Sequence, residues 1–390
     1  MLPLSASTSG PFESERKNRI EASWSARLLS TPETGTAIAG SVARASEAAF
    51  VETASTKVTP DRLMQITGGY APPLIVETAL RLGVFDALDQ GTKNIDQLLA
   101  ATGASARGLG MLLNALVGLD LLTKTSDDRF DLTEESARFL VRGKPTFHGA
   151  FFLMTSGLQL PYWAKLTEIV TTGRPAERIN SESDGSRFFL EFVEDIFPIH
   201  YPGAQSLATA LNVAGAGGPI SVLDLAAGSG VWSIALAKQS PHVRVTAVDW
   251  AAVIPVTKKV TTREGVADRY RFIEGDLLDA DFGSGHAIAT AGHIVHSEGE
   301  ERSRALFKKT YDALAPSGTI AIAEILVDAD RRGPAPALMF AINMLVHTDQ
   351  GGTFSLGEIT SWLEDAGFES VRTIEVPGLA RQIILATKPR

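Results

Sequence analysis

A glycine-rich turn is the most informative chemical feature of this 390-residue sequence. Gly228 and Gly230 follow an apolar segment that predicts a buried strand and contains Asp224. Glycines at such a strand-to-helix turn let the backbone approach a ligand closely. The turn is not a dinucleotide-binding fingerprint, because the third glycine of G-x-G-x-x-G would fall at Ser233. A carboxylate beside the turn suits a cationic ligand better than a pyrophosphate.

Acidic residues also end the next two predicted strands. Asp249 can accept hydrogen bonds from both hydroxyls of a ribose, and Trp250 beside it can pack on an adenine. Asp276 can accept a hydrogen bond from the adenine amino group. Three acids around a glycine turn describe a site for a ribose, an adenine and a positive centre, which predicts S-adenosyl-L-methionine as the cofactor. The predicted cofactor-binding residues are Asp224, Gly228, Gly230, Asp249, Trp250, Asp276 and Leu277.

One histidine has the position of a general base. Methyl transfer to a phenol, whose pKa is near 10, is assisted by a base that removes the hydroxyl proton. His296 follows the fourth predicted strand, on the same sheet edge as the cofactor acids. His293 completes an H-x-x-H pair with it, but a metal site would need a third ligand nearby, and the spacing alone is a weak signal. We therefore predict a catalytic base and no metal.

From Ser221 onward, predicted strands alternate with predicted helices. This alternation is typical of a doubly wound, Rossmann-like α/β sheet of seven strands. The short Pro377-Gly378 connection indicates that the last two strands form an antiparallel hairpin at the sheet edge. The strand candidates are Ser221–Leu225, Arg244–Val248, Tyr270–Glu274, Ala287–Ala291, Thr319–Glu324, Val371–Glu375 and Gln382–Ala386.

Residues 59–145 have the pattern of an α-helical winged-helix domain. A short helix, a turn and an N-cap at Ser105 precede a second, leucine-rich helix, and Asp127–Leu132 predicts the wing. A DNA-reading helix needs cationic and amide side chains at base edges, whereas the second helix carries Arg107 as its one basic residue. The helix is therefore expected to pack against a core or a second subunit.

Two further segments complete the predicted domain organisation. Residues 146–217 are aromatic-rich and mostly helical in pattern, and they are expected to link the domains and line a substrate pocket. Residues 1–58 are rich in Ser, Thr, Ala and Glu with weak apolar periodicity, which predicts a flexible extension or a dimer arm. Residues 218–390 form the predicted cofactor-binding domain.

The motif L-D-L-A-A-G-S-G at 223–230 resembles that of class I S-adenosylmethionine-dependent methyltransferases. The winged segment, the helix Met339-Phe-Ala-Ile-Asn-Met-Leu345 and the run Gly351-Gly-Thr-Phe-Ser-Leu356 extend the resemblance. Over residues 60–390 the chain looks like the small-molecule O-methyltransferases of the caffeate, acetylserotonin and polyketide type. The first 58 residues lie outside this resemblance.

The resemblance implies roles for particular residues. In that family a histidine matching His296 removes the hydroxyl proton, a glutamate matching Glu324 orients it, and the winged domain mediates dimerisation. The plant enzymes continue their motif as H-D-W, whereas Ser297-Glu298 stand here. They also carry a second acid after the Gly-Gly pair, where this chain has Thr353-Phe354.

The implied activity is O-methylation of a small aromatic or polyketide-like metabolite, in secondary metabolism. One alternative keeps the fold and methylates carbon or nitrogen by proximity, without a strong base. A second alternative is a winged-helix regulator whose methyltransferase domain senses a ligand. The predicted substrate contacts, partly by analogy of fold, are Met154, Phe197, Met339, Asn343 and Met344.

Composition excludes several other classes of protein. A net charge of −9 argues against a general nucleic-acid binder and against an anionic membrane surface as the main partner. The absence of cysteine rules out disulfides, thiolate metal sites and cysteine nucleophiles. No stretch of about 18 apolar residues predicts a membrane span, and the N-terminus lacks a secretory signal pattern. We therefore expect a cytoplasmic protein, and the resemblance implies that it is a homodimer that acts on a small molecule.

Overall fold

A computed structural model of the chain describes residues 58–176, 178–179, 192–378 and 380–390. The extension predicted for residues 1–58 lies outside the described residues, apart from Val58. Part of the predicted helical linker, residues 180–191, also lies outside them.

The first described region is a small helical domain with its own sheet. Its sheet order is β1-β3-β2, and β2 and β3 form the predicted wing. The hydroxyl of Ser105 accepts a hydrogen bond from the backbone N–H of Gly108, so the predicted N-cap is present. Leu109 and Leu113, on the helix that Ser105 caps, are buried in the core of this domain, so the apolar face of that helix packs inward. The elements are α1 (Asp61–Thr67), α2 (Ala71–Arg81), α3 (Val84–Leu88), β1 (Lys93–Asn94), α4 (Ile95–Thr102), α5 (Ala106–Gly118), β2 (Leu122–Lys124), β3 (Arg129–Leu132) and α6 (Glu134–Phe139).

Short helices connect this domain to the large sheet. They are α7 (Ala150–Leu153), a π-helical turn (Thr155–Gln159), α8 (Leu160–Trp163), α9 (Leu166–Thr172) and α10 (Phe197–Ala210), followed by a 3₁₀ turn (Val213–Gly215). Most of the described residues of this segment are helical.

The large sheet has seven strands in the order β6-β5-β4-β7-β8-β10-β9. Strands β4 to β8 are parallel, and β10 is antiparallel to both of its neighbours. The chain order reverses between β4 and β7, where an open α/β sheet forms a ligand crevice at its carboxyl edge. The predicted fold class is confirmed. The elements are β4 (Ile220–Leu225), α11 (Val231–Gln239), β5 (Val243–Asp249), α12 (Ile254–Arg263), a 3₁₀ turn (Ala267–Arg269), β6 (Tyr270–Glu274), β7 (His286–Gly292), α13 (Val295–Ala313), β8 (Leu314–Ala323), α14 (Ala335–His347), α15 (Leu356–Ala366), β9 (Glu369–Glu375) and β10 (Gln382–Thr387).

Apolar cores cover both faces of this sheet. Successive strand residues point to opposite faces. Val222 therefore packs with α10 and α11 on one side, and Leu223 packs with α13 and α15 on the other. Because both faces are buried, β4 and β7 are mostly apolar along their length. Asp224 and Thr290 are buried polar exceptions within them.

Among the described residues, no helix combines the length and the apolar character that crossing a membrane requires.

Gly292 at the end of β7 is expected to tolerate no side chain. A Cβ at this position would overlap Nε1 of Trp232, whose indole is buried. We expect Gly292→Ala to lower the free energy of unfolding by about 1–3 kcal/mol, because the ring cannot move without disturbing its packing. Urea unfolding is the measurement. Gly118→Ala is the matched control, since nothing lies within 4 Å of its added Cβ, and equal effects of the two changes would contradict the steric argument.

Candidate active site

A cavity of about 400 Å³ opens at the carboxyl edge of the large sheet. Its walls come from the loops that follow β4, β5, β6 and β7, from α14, and from the connecting helices. Most of the exposed lining is apolar. The cavity therefore occupies the crevice that the strand order predicts, and its size is that of an ordinary small-molecule site.

One side of the cavity is formed by the glycine turn and the end of β5. Gly228 has φ = +53°, a left-handed conformation that favours glycine. Its backbone N–H donates to Oδ2 of Asp249 at 2.7 Å, and the N–H of Trp250 donates to Oδ1 at 2.7 Å. Gly228, Asp249 and Trp250 all line the cavity, as do Asp276 and Leu277 beyond β6. Five predicted cofactor residues are thus brought together.

Asp224 and Gly230 are placed differently from the prediction. The two carboxylate oxygens of Asp224 accept hydrogen bonds from the hydroxyls of Thr290, at 2.6 Å, and Ser233. Burial raises the pKa of Asp224 to about 7. Asp224 lies beneath the glycine turn and outside the cavity lining. Its oxygens accept from side chains of α11 and β7 instead of facing the cavity. Gly230 is the N-cap of α11, with φ = +75°, and likewise does not line the cavity.

Asp276 is held by an arginine that the sequence analysis did not identify. Arg302 donates from Nη2 to both oxygens of Asp276, at 3.0 and 2.8 Å, and from Nε to Glu298 at 2.5 Å. Burial raises the pKa of Glu298, against the opposing effect of Arg302. Glu298 and Arg302 lie four residues apart on α13, a spacing that the sequence does show. The arginine therefore holds both acids in place at the cavity wall.

The predicted base and its predicted partner are in direct contact. Nδ1 of His296 lies 2.6 Å from Oε1 of Glu324, and the backbone N–H of His296 donates to Oε2 at 3.1 Å. The N–H of Ile325 donates to Oε1 at 2.8 Å. Burial raises the pKa of the Glu324 carboxyl, but the adjacent His296 and its hydrogen bond outweigh burial and hold the pKa below its usual value. The arrangement places the Nδ1 proton of His296 toward Glu324 and leaves Nε2 for other chemistry.

The loop after α14 fixes the backbone of His296 from the other side. The N–H of Gly352 donates to the carbonyl of His296 at 2.9 Å. A Cβ on Gly351 would overlap that carbonyl oxygen, so the close approach requires glycine. The Gly-Gly pair thus positions the predicted base.

Two further histidines lie in the cavity wall. The rings of His200 and His293 are 4.3 Å apart between centroids, and both residues line the cavity. Burial lowers the pKa of His200 to about 4. Burial and the neighbouring His200 hold the pKa of His293 well below its usual value. Both rings are therefore neutral near pH 7. No sequence spacing connects His200, on α10, to the end of β7.

A third potential metal ligand does lie beside the H-x-x-H pair. His293, His296 and Glu324 each offer one ligand atom, and these atoms lie within 4.8 Å of one another. Nδ1 of His293 is 3.9 Å from Oε1 of Glu324. Three hydrogen bonds already occupy the two oxygens of that carboxylate. This favours its use as the partner of His296, and the absence of a metal stays a prediction.

The predicted substrate residues divide into two groups. Met154, Asn343 and Met344 line the cavity, whereas Phe197 and Met339 do not. Phe197 is buried and stacks on Tyr201, with ring centroids 5.1 Å apart. Met339 is 62% exposed.

The helical face of α14 explains the position of Met339. At 100° per residue, positions 343, 340 and 344 span about 100° of the helix surface, and 339 lies about 40° beyond the edge of that span, on the side of 343. Phe340 occupies the cavity position instead, and its ring packs edge-on against His296 with centroids 4.9 Å apart.

The low pKa of His200 predicts an acid-sensitive contribution to stability. Its folded-state pKa of about 4 lies below the ordinary value of 6.5. As the pH falls from 7 toward 4, the unfolded chain therefore binds a proton that the folded chain does not, and stability decreases. The loss of unfolding free energy attributable to His200 is roughly 3 kcal/mol once the pH lies below both pKa values.

Thermal unfolding between pH 7 and pH 4.5 tests this assignment. His200→Gln is expected to lose less stability over this range than the unsubstituted protein. His242→Gln, at an exposed histidine, is the control, and parallel curves for all three proteins would count against the assignment.

Comparison with known proteins adds independent findings. A family model of the O-methyltransferase domain matches residues 206–369, and a model of the O-methyltransferase dimerisation domain matches residues 64–142. A 3-hydroxy-5-methyl-1-naphthoate 3-O-methyltransferase of Streptomyces sahachiroi is 30% identical over 320 residues, which are 81% of this chain and 91% of that protein. The tetracenomycin polyketide synthesis 8-O-methyl transferase TcmO of Streptomyces glaucescens is 28% identical over 340 residues, which are 85% of this chain and 97% of that protein. The fold matches the crystal structure of human N-acetylserotonin methyltransferase in complex with SAM, with a TM-score of 0.74 and 24% identity over 86% of this chain and 99% of that chain.

Proposed function

This chain belongs to the S-adenosylmethionine-dependent O-methyltransferases, and on that premise we propose that it methylates a hydroxyl group of a small aromatic or polyketide-like metabolite. The resemblance seen in the sequence is confirmed. The observation that carries the proposal is the contact between His296 and Glu324 at the wall of a mostly apolar cavity.

The residues on the β4–β6 side of the cavity fit this cofactor. Asp249 stands at a strand end where it can accept from ribose hydroxyls, and Trp250 and Leu277 offer apolar surface for an adenine. The left-handed glycine turn brings backbone close to the ligand. When bound, the cofactor supplies an electrophilic methyl group on a positively charged sulfur. Gly228, Asp249, Trp250, Asp276 and Leu277 would hold it.

His296 is proposed to act as the general base. With its Nδ1 proton directed to Glu324, its Nε2 lone pair accepts the proton of the substrate hydroxyl. The deprotonated oxygen would then be the nucleophile for the methyl group that the bound cofactor would supply. Glu324 stabilises the imidazolium that results, because its carboxylate is ionised and adjacent.

The substrate is proposed to lie between Met154 and the inner face of α14. Phe340 and Met344 present flat or adaptable apolar surface to an aromatic ring. The polar groups at this wall are few, so they set the orientation of the ring. Near the base, the neutral rings of His200 and His293 add no charge to the site.

A homodimer is also proposed. Residues 64–142 match the dimerisation domain of this family. Leu63, Met64 and Ile66 on α1 are each about two-thirds exposed, which leaves an apolar helix face for a second subunit.

His296→Asn tests the base. We expect turnover to fall by about 10²–10⁴-fold, because the hydroxyl proton loses its acceptor. Binding of S-adenosylhomocysteine, measured by calorimetry, is expected to persist. Unchanged turnover would remove the base from the mechanism, and His242→Asn controls for the loss of a histidine as such.

Mass spectrometry with fragmentation of the product tests the atom that is methylated. We expect an ether-linked methyl group on the product of a screen of phenolic acceptors. A methyl group attached to carbon or nitrogen would contradict O-methylation and support the proximity mechanism.

Asp249→Ala tests the cofactor site. The change removes the acceptor for a ribose and also frees the N–H groups of Gly228 and Trp250. We expect calorimetry with S-adenosylhomocysteine to show a loss of affinity of at least about tenfold, since one hydrogen bond to a charged group contributes about 1.5–3 kcal/mol. Asp268→Ala, at an acid with an 83% exposed side chain, is the control. Equal affinities for the three proteins would count against this placement of the cofactor.

A further inference from the structure

Three polar side chains, from the π-helical turn, α8 and α14, meet at the wall of the cavity. The indole N–H of Trp163 donates to Oε1 of Gln159 at 3.2 Å and to Oδ1 of Asn343 at 3.3 Å. Gln159 and Asn343 both line the cavity. Gln159 was not identified in the sequence analysis, and Asn343 was predicted as a substrate contact.

The shared indole determines the orientation of both amides. An indole N–H is a donor only, so each amide must present its oxygen to Trp163. Each NH₂ group is consequently turned away from the indole. Within the part of the chain that the structure describes, neither amide nitrogen donates a hydrogen bond to another residue. The cavity wall therefore presents two neighbouring N–H donors.

The backbone holds Gln159 in this position. The N–H of Gln159 donates to the carbonyl of Met154 at 3.1 Å, an i to i+5 bond that closes the π-helical turn. This geometry puts Met154 and Gln159 on one face of the turn, and both line the cavity. The buried carboxylate of Glu77 anchors the same turn, since it accepts from the backbone N–H of Ser156 at 2.9 Å and from its hydroxyl at 2.7 Å.

Charge at the wall decides which kind of acceptor fits the donors. Two amides carry no charge to balance a carboxylate. Among the described residues that line the cavity, the cation is Arg302, and it is paired with Asp276 and Glu298. Burying an unpaired carboxylate in an apolar cavity is costly, whereas a carbonyl oxygen needs only donors.

We propose that Gln159 and Asn343, oriented by Trp163, form a subsite for an uncharged carbonyl oxygen of the methyl acceptor, such as a ketone or quinone. The proposal rests on the proposed function, because it assumes that the cavity holds a hydroxylated aromatic substrate beside His296. The subsite selects hydroxyaryl carbonyl compounds over phenols of the same shape that lack the carbonyl.

Matched acceptors test this selection. One pair is a hydroxytetralone and the tetrahydronaphthol with a methylene in place of the ketone. A second pair is a hydroxyanthraquinone and the matching hydroxyanthracene, and a hydroxynaphthoate supplies the carboxylate arm. We expect kcat/KM to favour each carbonyl compound by about tenfold, the equivalent of one or two net hydrogen bonds. The carboxylate is expected to show no such advantage.

Two variants assign the preference to the amides. Gln159→Leu keeps similar bulk and removes the donor, so the ratio of kcat/KM for carbonyl compound over parent phenol is expected to fall toward one. Trp163→Phe removes the shared indole N–H, and the ratio is expected to fall because both amides can then rotate. Gln90→Leu, at an exposed glutamine, is expected to retain the full ratio. Calorimetry with S-adenosylhomocysteine reports whether each variant is folded.

The outcomes separate this proposal from the one on which it rests. Methylation of phenols with no preference for the carbonyl member, or a preference that survives Gln159→Leu, overturns the subsite and leaves O-methyl transfer standing. A preference for the carboxylate overturns the uncharged character of the subsite. Failure to methylate any hydroxyl of the panel, with S-adenosylhomocysteine bound, counts against both.

Discussion

The hydrogen bond between Glu324 and His296 joins the ends of two neighbouring strands, and the site is arranged around it. Glu324 follows β8, is almost fully buried, and accepts from the ring and backbone of His296 and from the backbone of Ile325. A buried carboxylate is tolerable only with such partners. The pair therefore fixes both the tautomer and the position of the histidine. The Gly351-Gly352 loop completes this fixation through the carbonyl of His296.

The other charged groups of the cavity have hydrogen-bond partners within the protein. Arg302 pairs with Asp276 and Glu298, and Asp249 accepts from backbone N–H groups. His200 and His293 are neutral because burial disfavours their charged forms. Under the proposed function, the carboxylates at this wall suit the positively charged cofactor, and the mostly apolar remainder suits an uncharged aromatic acceptor. The amides of Gln159 and Asn343 fit the same description, since they offer donors without charge.

Much of the site could be predicted, because the local sequence pattern shows which residues follow each strand. Asp249, Trp250, Asp276 and His296 each follow an apolar strand, and parallel strands bring their carboxyl ends to one edge. Helix faces were harder to predict. Met339 was predicted to face the substrate, but the direction of α14 turns Phe340 to the cavity instead. Asp224 also differs from its prediction. The sequence places it next to the glycine turn, but it does not show that the hydroxyls of Ser233 and Thr290 hold it beneath that turn.

The sequence by itself determined the fold class and the family, since both depend on short-range periodicity and on the spacing of motifs, and it predicted the cofactor turn and a base at His296. Only the tertiary structure decided which side chains from distant elements meet. His200 reaches His293 across the cavity wall, and Arg302 reaches Asp276. Trp163 joins Gln159 to Asn343, which lies 180 residues after Trp163 in the chain. The physical reason is that such contacts depend on how helices pack over the sheet, which involves the volumes of many side chains at once and leaves no periodic trace in the sequence.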